Sequence, residues 1–138
     1  MNPKWDQSQA PSPRESMHSE LLMHRNRHEI PGNYTQGAKS YQFGAWLKIK
    51  NSHDLPVMLI IEHVDFLGEH WQIVDTARVR NAKASILLSG SIEIKEKRIQ
   101  DMRLYICHPN PDLHVEVEEL RFNDQLIRKD FVDATNVA

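Results

Sequence analysis

The sequence predicts an all-β protein: an antiparallel β-sandwich of about seven strands behind a flexible or partly helical N-terminal arm. Three observations lead there. From Tyr41 onward, apolar and polar residues alternate with a period of two. Turn-forming clusters such as Asn51-Ser52-His53-Asp54 and His108-Pro109-Asn110-Pro111 cut that alternation into short runs. No segment of helical period interrupts the runs, which disfavours α/β architectures. Two sheets packed face to face bury such strands most simply, and a small closed β-barrel is the alternative.

The arm, residues 1–40, differs in composition. Apolar residues are sparse there, and Pro3, Pro11, Pro13, Pro31, Gly32 and Gly37 punctuate it. Such a stretch buries too little surface to offset its ordering entropy. Within it, Ser12-Pro13-Arg14-Glu15 has the form of a capping box with proline at the first helical position. Met17, Leu21 and Leu22 follow at helical spacing, and Pro31-Gly32 would stop the run, so a short helix is expected over 13–29.

The sandwich domain is expected over 41–132, with 133–138 a polar tail. In the first strand Tyr41, Phe43, Ala45, Leu47 and Ile49 face inward, opposite Gln42, Gly44, Trp46, Lys48 and Lys50. Residues 57–66 are apolar on both faces at first, as in a central strand, and Leu67-Gly68-Glu69 forms a tight connection. Parity assigns Trp71, Ile73, Ala77 and Val79 inward on the third strand, and Ala84, Ile86, Leu88, Ile92 and Ile94 on the fourth. Gly90 suggests a bend or bulge. Met102, Leu104 and Ile106 define the fifth strand, and Leu113, Val115 and Val117 the sixth. Leu120 and Phe122 lie on the other parity, which calls for a bulge near Glu118-Glu119. Asn123-Asp124 then turns the chain into a last strand through Ile127 and Phe131.

The stretch LKIKNSHDLPVMLII, residues 47–61, runs strand, polar turn with proline, strand. That pattern is similar to immunoglobulin-like sandwiches and implies their layering, but carries no function with it.

Composition excludes several classes. With 40% hydrophobic and 26% charged residues, the 138-residue chain is an ordinary globular one. A formal charge of −2 supplies no field to attract nucleic acid or an anionic membrane. The longest aliphatic run, Val57 to Ile61, is far short of a membrane span. Cys107 is the single cysteine, so no intramolecular disulfide forms. With no apolar core in MNPKWDQSQAPSPRES, a cytoplasmic location is expected. Asn33-Tyr34-Thr35 has the form of a glycosylation acceptor, which this location would leave unused.

Three clusters are candidates for chemistry. His63 and Asp65 share a strand face, and His70 lies across a turn, which is a loose metal-ligand set. The spacing fits neither a helical His-Glu-x-x-His site nor a calcium loop, and a solvated hairpin is the simpler reading. Cys107-His108 with Asp112 and His114 has the composition of a nucleophile site, yet a small filler near a strand end is the simpler reading. Finally, Trp46 lies on the polar parity beside Lys48 and Lys50, and an indole on a solvated face is a platform for a sugar, a peptide or a base. Arg78, Arg80, Arg103 and Tyr105 also point outward by parity, and strand order decides whether they join it.

No Gly-x-Ser-x-Gly elbow, phosphate loop or dinucleotide fingerprint is present. The expected role is therefore binding without catalysis and without a cofactor. Its partner would be another protein or a second copy, met through a sheet face or edge and the arm. The alternative is a small-ligand or carbohydrate module centred on Trp46. A metal-dependent enzyme using His63, Asp65 and His70 ranks behind both.

Overall fold

The computed structural model describes residues 11–34, 37–50, 55–80, 85–95 and 98–128. Among the described residues, eight strands form two antiparallel sheets: β1 (His18–Asn26), β2 (Lys39–Lys50), β3 (Leu55–Asp65), β4 (Gly68–Val79), β5 (Ser85–Ile94), β6 (Asp101–His108), β7 (His114–Phe122) and β8 (Gln125–Arg128). Sheet I has the order β1-β6-β3-β4 and sheet II the order β5-β2-β7-β8. The architecture is the β-sandwich that the alternation predicts.

The core lies between the sheets. Tyr41, Phe43, Ala45, Leu47 and Ile49 of β2 are all buried, facing Val57, Leu59 and Ile61 of β3 and Met102, Leu104 and Ile106 of β6. Each such aliphatic side chain contributes about 1.5–3 kcal/mol by leaving water. Phe122 stacks on Phe43 and Tyr41, with ring centroids 5.1 and 5.9 Å apart. The Tyr41 hydroxyl donates to the Pro31 carbonyl at 2.9 Å, and burial pushes its pKa up to about 12.

Three of the four register shifts among the described residues reconcile contiguous apolar residues with a two-residue period. On β7, Trp46 pairs with Glu119 and Leu47 with Val117, so Glu118 is the extra residue. Val117 and Leu120 thereby both reach the core, as the parity slip requires. On β4, Leu59 pairs with Asp75 and Ile60 with Ile73, leaving Val74 extra. This splits the expected inward set: Ala77, Val79 and Val74 pack on the core, while Ile73 joins Ile60 and Tyr105 on the outer face, where Trp71 pairs with Glu62.

The third bulge, at Leu22 in β1, replaces the helix expected over 13–29. Ser12 does cap Pro13–Glu15, its Oγ accepting from the Arg14 amide at 3.2 Å, but the helix stops after one 3-10 turn. Leu22 and Met23 then bury side by side in an edge strand. Pairing with β6 satisfies a whole ladder, covers that strand's edge and buries Leu22 and Met23, which outweighs the weak propensity of an isolated helix.

Between the sheets' neighbouring edges, the Ser89 amide donates to Asp75 Oδ2 at 2.9 Å and Gln72 Nε2 to the Glu93 carbonyl at 3.2 Å. Among the described residues no ladder joins β4 to β5, and the two sheets stay separate rather than closing into a barrel. Gly90 makes no bulge; its register with Phe43 is regular. It is instead a point of close approach, where a Cβ would stand 2.5 Å from the Val74 carbonyl oxygen. Asn123 and Asp124 both have positive φ, 50° and 65°, and turn β7 tightly into β8. Phe131 lies outside the described residues. Asn33 is buried and fully used: Nδ2 donates to the Arg27 and Ile99 carbonyls, and Oδ1 accepts from the Ile99 amide. No helix of the described residues is long and apolar enough to cross a membrane.

Candidate ligand-binding face

Strand order distributes the outward residues over two opposite faces. Trp46, Lys48 and Lys50 lie on β2, on the outer face of sheet II. Arg103 and Tyr105 lie on β6, on the outer face of sheet I. Arg78 and Arg80 are exposed at the far end of β4, where Arg78 pairs with Pro56. The seven residues therefore do not converge.

On sheet II, Trp46 is 42% exposed and pairs with Leu87, 44% exposed, on β5. One step along β2, Gly44 pairs with Ser89 on one side and Arg121 on the other, and a Cβ there would meet nothing within 4 Å. The missing side chain leaves the floor of a shallow depression of about 420 Å³, with Gln42, Ser89 and Ser91 among its walls. Arg121 Nε is bound to Glu119 Oε2 at 2.6 Å, which balances that pair, and Asp124 adds a carboxylate to the rim. Lys50 is likewise engaged by Glu116 at 2.7 Å, and this hydrogen bond holds the Glu116 carboxyl below its usual range. An apolar platform beside neutral hydroxyl and amide groups suits a polar, uncharged ligand better than an anion.

The outer face of sheet I carries a larger cleft of about 580 Å³. Several of its charges are paired with one another, and Glu15 and Glu69 also line it. Arg14 Nε and Nη2 donate to Glu62 Oε2 and Oε1 at 3.0 and 3.1 Å, and Ser12 Oγ donates to the same carboxylate at 2.5 Å. Asp101 accepts from His24 and, at 2.9 Å, from Arg103. The Arg14 guanidinium lies 4.7 Å from the Tyr105 ring centroid, so Tyr105, only 7% exposed, is not a free platform.

Cys107 is fully buried beside Ile60 and Tyr105. Burial, reinforced by Glu62 and opposed by Arg14, pushes its thiol up to about 11, which is the reverse of activation. His108 belongs to the opposite parity, His114 to the other sheet, and Asp112 to an exposed turn, so no nucleophile site assembles there.

His63, Asp65 and His70, by contrast, do come together. The β3–β4 hairpin pairs His63 with His70, and their rings stack with centroids 4.9 Å apart. His70 Nε2 donates to Asp65 Oδ1 at 2.9 Å, and that oxygen also accepts from the Leu67 amide at 2.7 Å. Gly68, at φ +127°, completes the turn in a conformation that other residues rarely adopt. Burial opposes the Asp65 charge, but the His70 and Leu67 hydrogen bonds and the positive field of both imidazoles outweigh it and hold its pKa down.

Sequence reasoning did not single out Leu87, Arg121, Arg14, Glu62 or Trp71. Leu87 and Arg121 enter only through cross-strand pairing, which no local pattern reveals. Trp71 was hidden by the bulge at Val74.

No protein-family model matches the sequence, and neither does any curated protein. Solved structures do share the fold. The family 22 carbohydrate-binding and GH10 modules of Clostridium thermocellum xylanase 10B, complexed with xylohexaose, match 74% of this chain and 19% of that one, with TM-score 0.56 and 13% identity. The C-terminal family 22 carbohydrate-binding module of the same enzyme, described for the role of its cleft in ligand binding, matches 76% of this chain and 62% of that one, with TM-score 0.53 and 14% identity. The VP2 subviral particle of infectious bursal disease virus follows with TM-score 0.49 and 15% identity over 78% of this chain and 26% of that one. The chain spans less than two thirds of each, and at these identities the likeness is one of fold.

Proposed function

We propose that this chain is a non-catalytic binding module that holds a neutral carbohydrate on the outer face of sheet II. The observation that carries this reading is Trp46, exposed beside Leu87 at the edge of a depression floored by Gly44. A pyranose ring would stack its C–H face on the indole while Gln42, Ser89 and Ser91 meet its hydroxyls. The fold shared with carbohydrate-binding modules supports it. Affinity electrophoresis against xylan, mixed-linkage glucan and mannan tests it. At least one polymer should retard the protein, and Trp46→Ala should weaken binding roughly tenfold or more, about 1.4 kcal/mol, without altering the circular dichroism. Equal retardation of wild type and variant, or none with any polymer, would remove the proposal.

A second reading, self-association, is favoured by one observation. Phe66 and Leu67 at the tip of the β3–β4 hairpin are 79% and 83% exposed. Sedimentation of the wild type should then depend on concentration, and the double variant Phe66→Ser, Leu67→Ser should sediment as a monomer.

A further inference from the structure

We infer that His63, Asp65 and His70 form a binding site for a divalent transition-metal ion at the turn end of the β3–β4 hairpin. One ligand atom from each residue lies within 4.8 Å of the others, on a single hairpin whose register is fixed by His63 pairing with His70. Two imidazoles and one carboxylate are a donor set for zinc and its first-row neighbours rather than for calcium or magnesium, which prefer oxygen alone.

A second observation points to a cation. The Asp65 side chain is only 2% exposed, yet its Oδ2 has no hydrogen-bond partner. Oδ1 already serves the turn through Leu67 and the ring of His70. A buried carboxylate oxygen without a donor is costly, and a cation would remove that cost. Ion entry has a route, since His63 and His70 both line the sheet I cleft.

The geometry asks for little movement. Ligand atoms about 2.0–2.2 Å from a tetrahedral ion are about 3.3–3.6 Å apart. The 2.9 Å hydrogen bond between His70 Nε2 and Asp65 Oδ1 gives way when the ion takes the place of its proton. The longest separation, no more than 4.8 Å, must shorten by about 1.2–1.5 Å at most. Three protein ligands leave a fourth position for water.

The site is separate from the carbohydrate face of sheet II, so the two readings fail independently. The test uses the full chain, freed of any affinity tag, stripped with chelator and titrated with Zn²⁺ and Co²⁺. The expected result is one equivalent bound, a visible d–d band for Co²⁺, and a rise in melting temperature with added Zn²⁺. His70→Gln retains a donor to Asp65, and Asp65→Asn retains an acceptor for the Leu67 amide, so both variants keep the hairpin. Each should weaken Zn²⁺ binding roughly tenfold or more, whereas Trp46→Ala should leave it unchanged. Absence of stoichiometric binding, or equal affinity in wild type and both variants, would overturn the inference.

Discussion

Arg14 grips Glu62 through two parallel hydrogen bonds across 48 residues of sequence, and so fastens the N-terminal segment to the outer face of sheet I. The same guanidinium covers Tyr105, and Met17 packs beside Ile60 and Cys107. Removing Arg14 leaves a mostly buried carboxylate that keeps the Ser12 hydrogen bond but has lost both guanidinium donors. Arg14→Ala should cost about 1–2 kcal/mol and lower the melting temperature by roughly 3–6 °C. It should also speed alkylation of Cys107, which a slow-reacting native thiol makes easy to follow. An unchanged melting curve and unchanged alkylation rate would show that the segment is not a cover.

Deleting residues 1–26 tests the same region differently. Were the arm an appendage, the rest would fold without it. In this structure the deletion removes β1 and exposes the edge of β6, together with the packing of Leu22 and Met23. Those two side chains alone contribute about 3–6 kcal/mol, against a total stability of about 5–15 kcal/mol. The truncated protein should lose its cooperative melt and elute as aggregate in size-exclusion chromatography.

The contrast between β1 and β2 shows what the sequence can reveal. Along β2 every second residue is buried, with no extra residue to disturb the alternation of its inward set, so its faces were legible at once. In β1 a bulge puts Leu22 and Met23 on the core in succession, and Met17, Leu21 and Leu22 then imitate a helical stripe. The bulge in β7 was legible because apolar residues flank it on both sides, whereas the one in β4 falls where Ile73 and Val74 are both apolar. Sites were harder still. His63, Asp65 and His70 belong to one hairpin, so their proximity follows from local register. The separation of Trp46 from Arg103 and Tyr105 depends on sheet order, which sequence does not encode locally.

Two glycines on neighbouring strands give opposite expectations. At Gly90 an added Cβ would lie 2.5 Å from the backbone oxygen of Val74, and a carbonyl cannot move aside without parting β4 from β5. Gly90→Ala should therefore destabilise by about 1–3 kcal/mol in denaturant titration. At Gly44 the space is open, so Gly44→Ala should change stability by no more than about 0.5 kcal/mol. It should nonetheless weaken carbohydrate binding by filling the floor beside Trp46. Equal stability of the two variants would contradict the close approach of the sheets.

His108 sets the response to mild acid. Its ring is buried, and desolvation lowers its pKa below 6.5, with His18 adding to the effect while the Asn110 backbone and Glu20 oppose it. His18 stacks on it at 6.1 Å. Because the folded value is depressed, the unfolded chain takes up the proton first as pH falls through 6.5. Stability then declines until the folded value is reached. Asp65 acts in a different window: its depressed pKa favours the folded state above 3.8, and that advantage is lost only as pH falls below it. Melting temperature should thus drop between pH 7.5 and 5.5 in the wild type, with metal chelated, and the slope should flatten in His108→Gln. A variant with the wild-type slope would assign the acid response to another group.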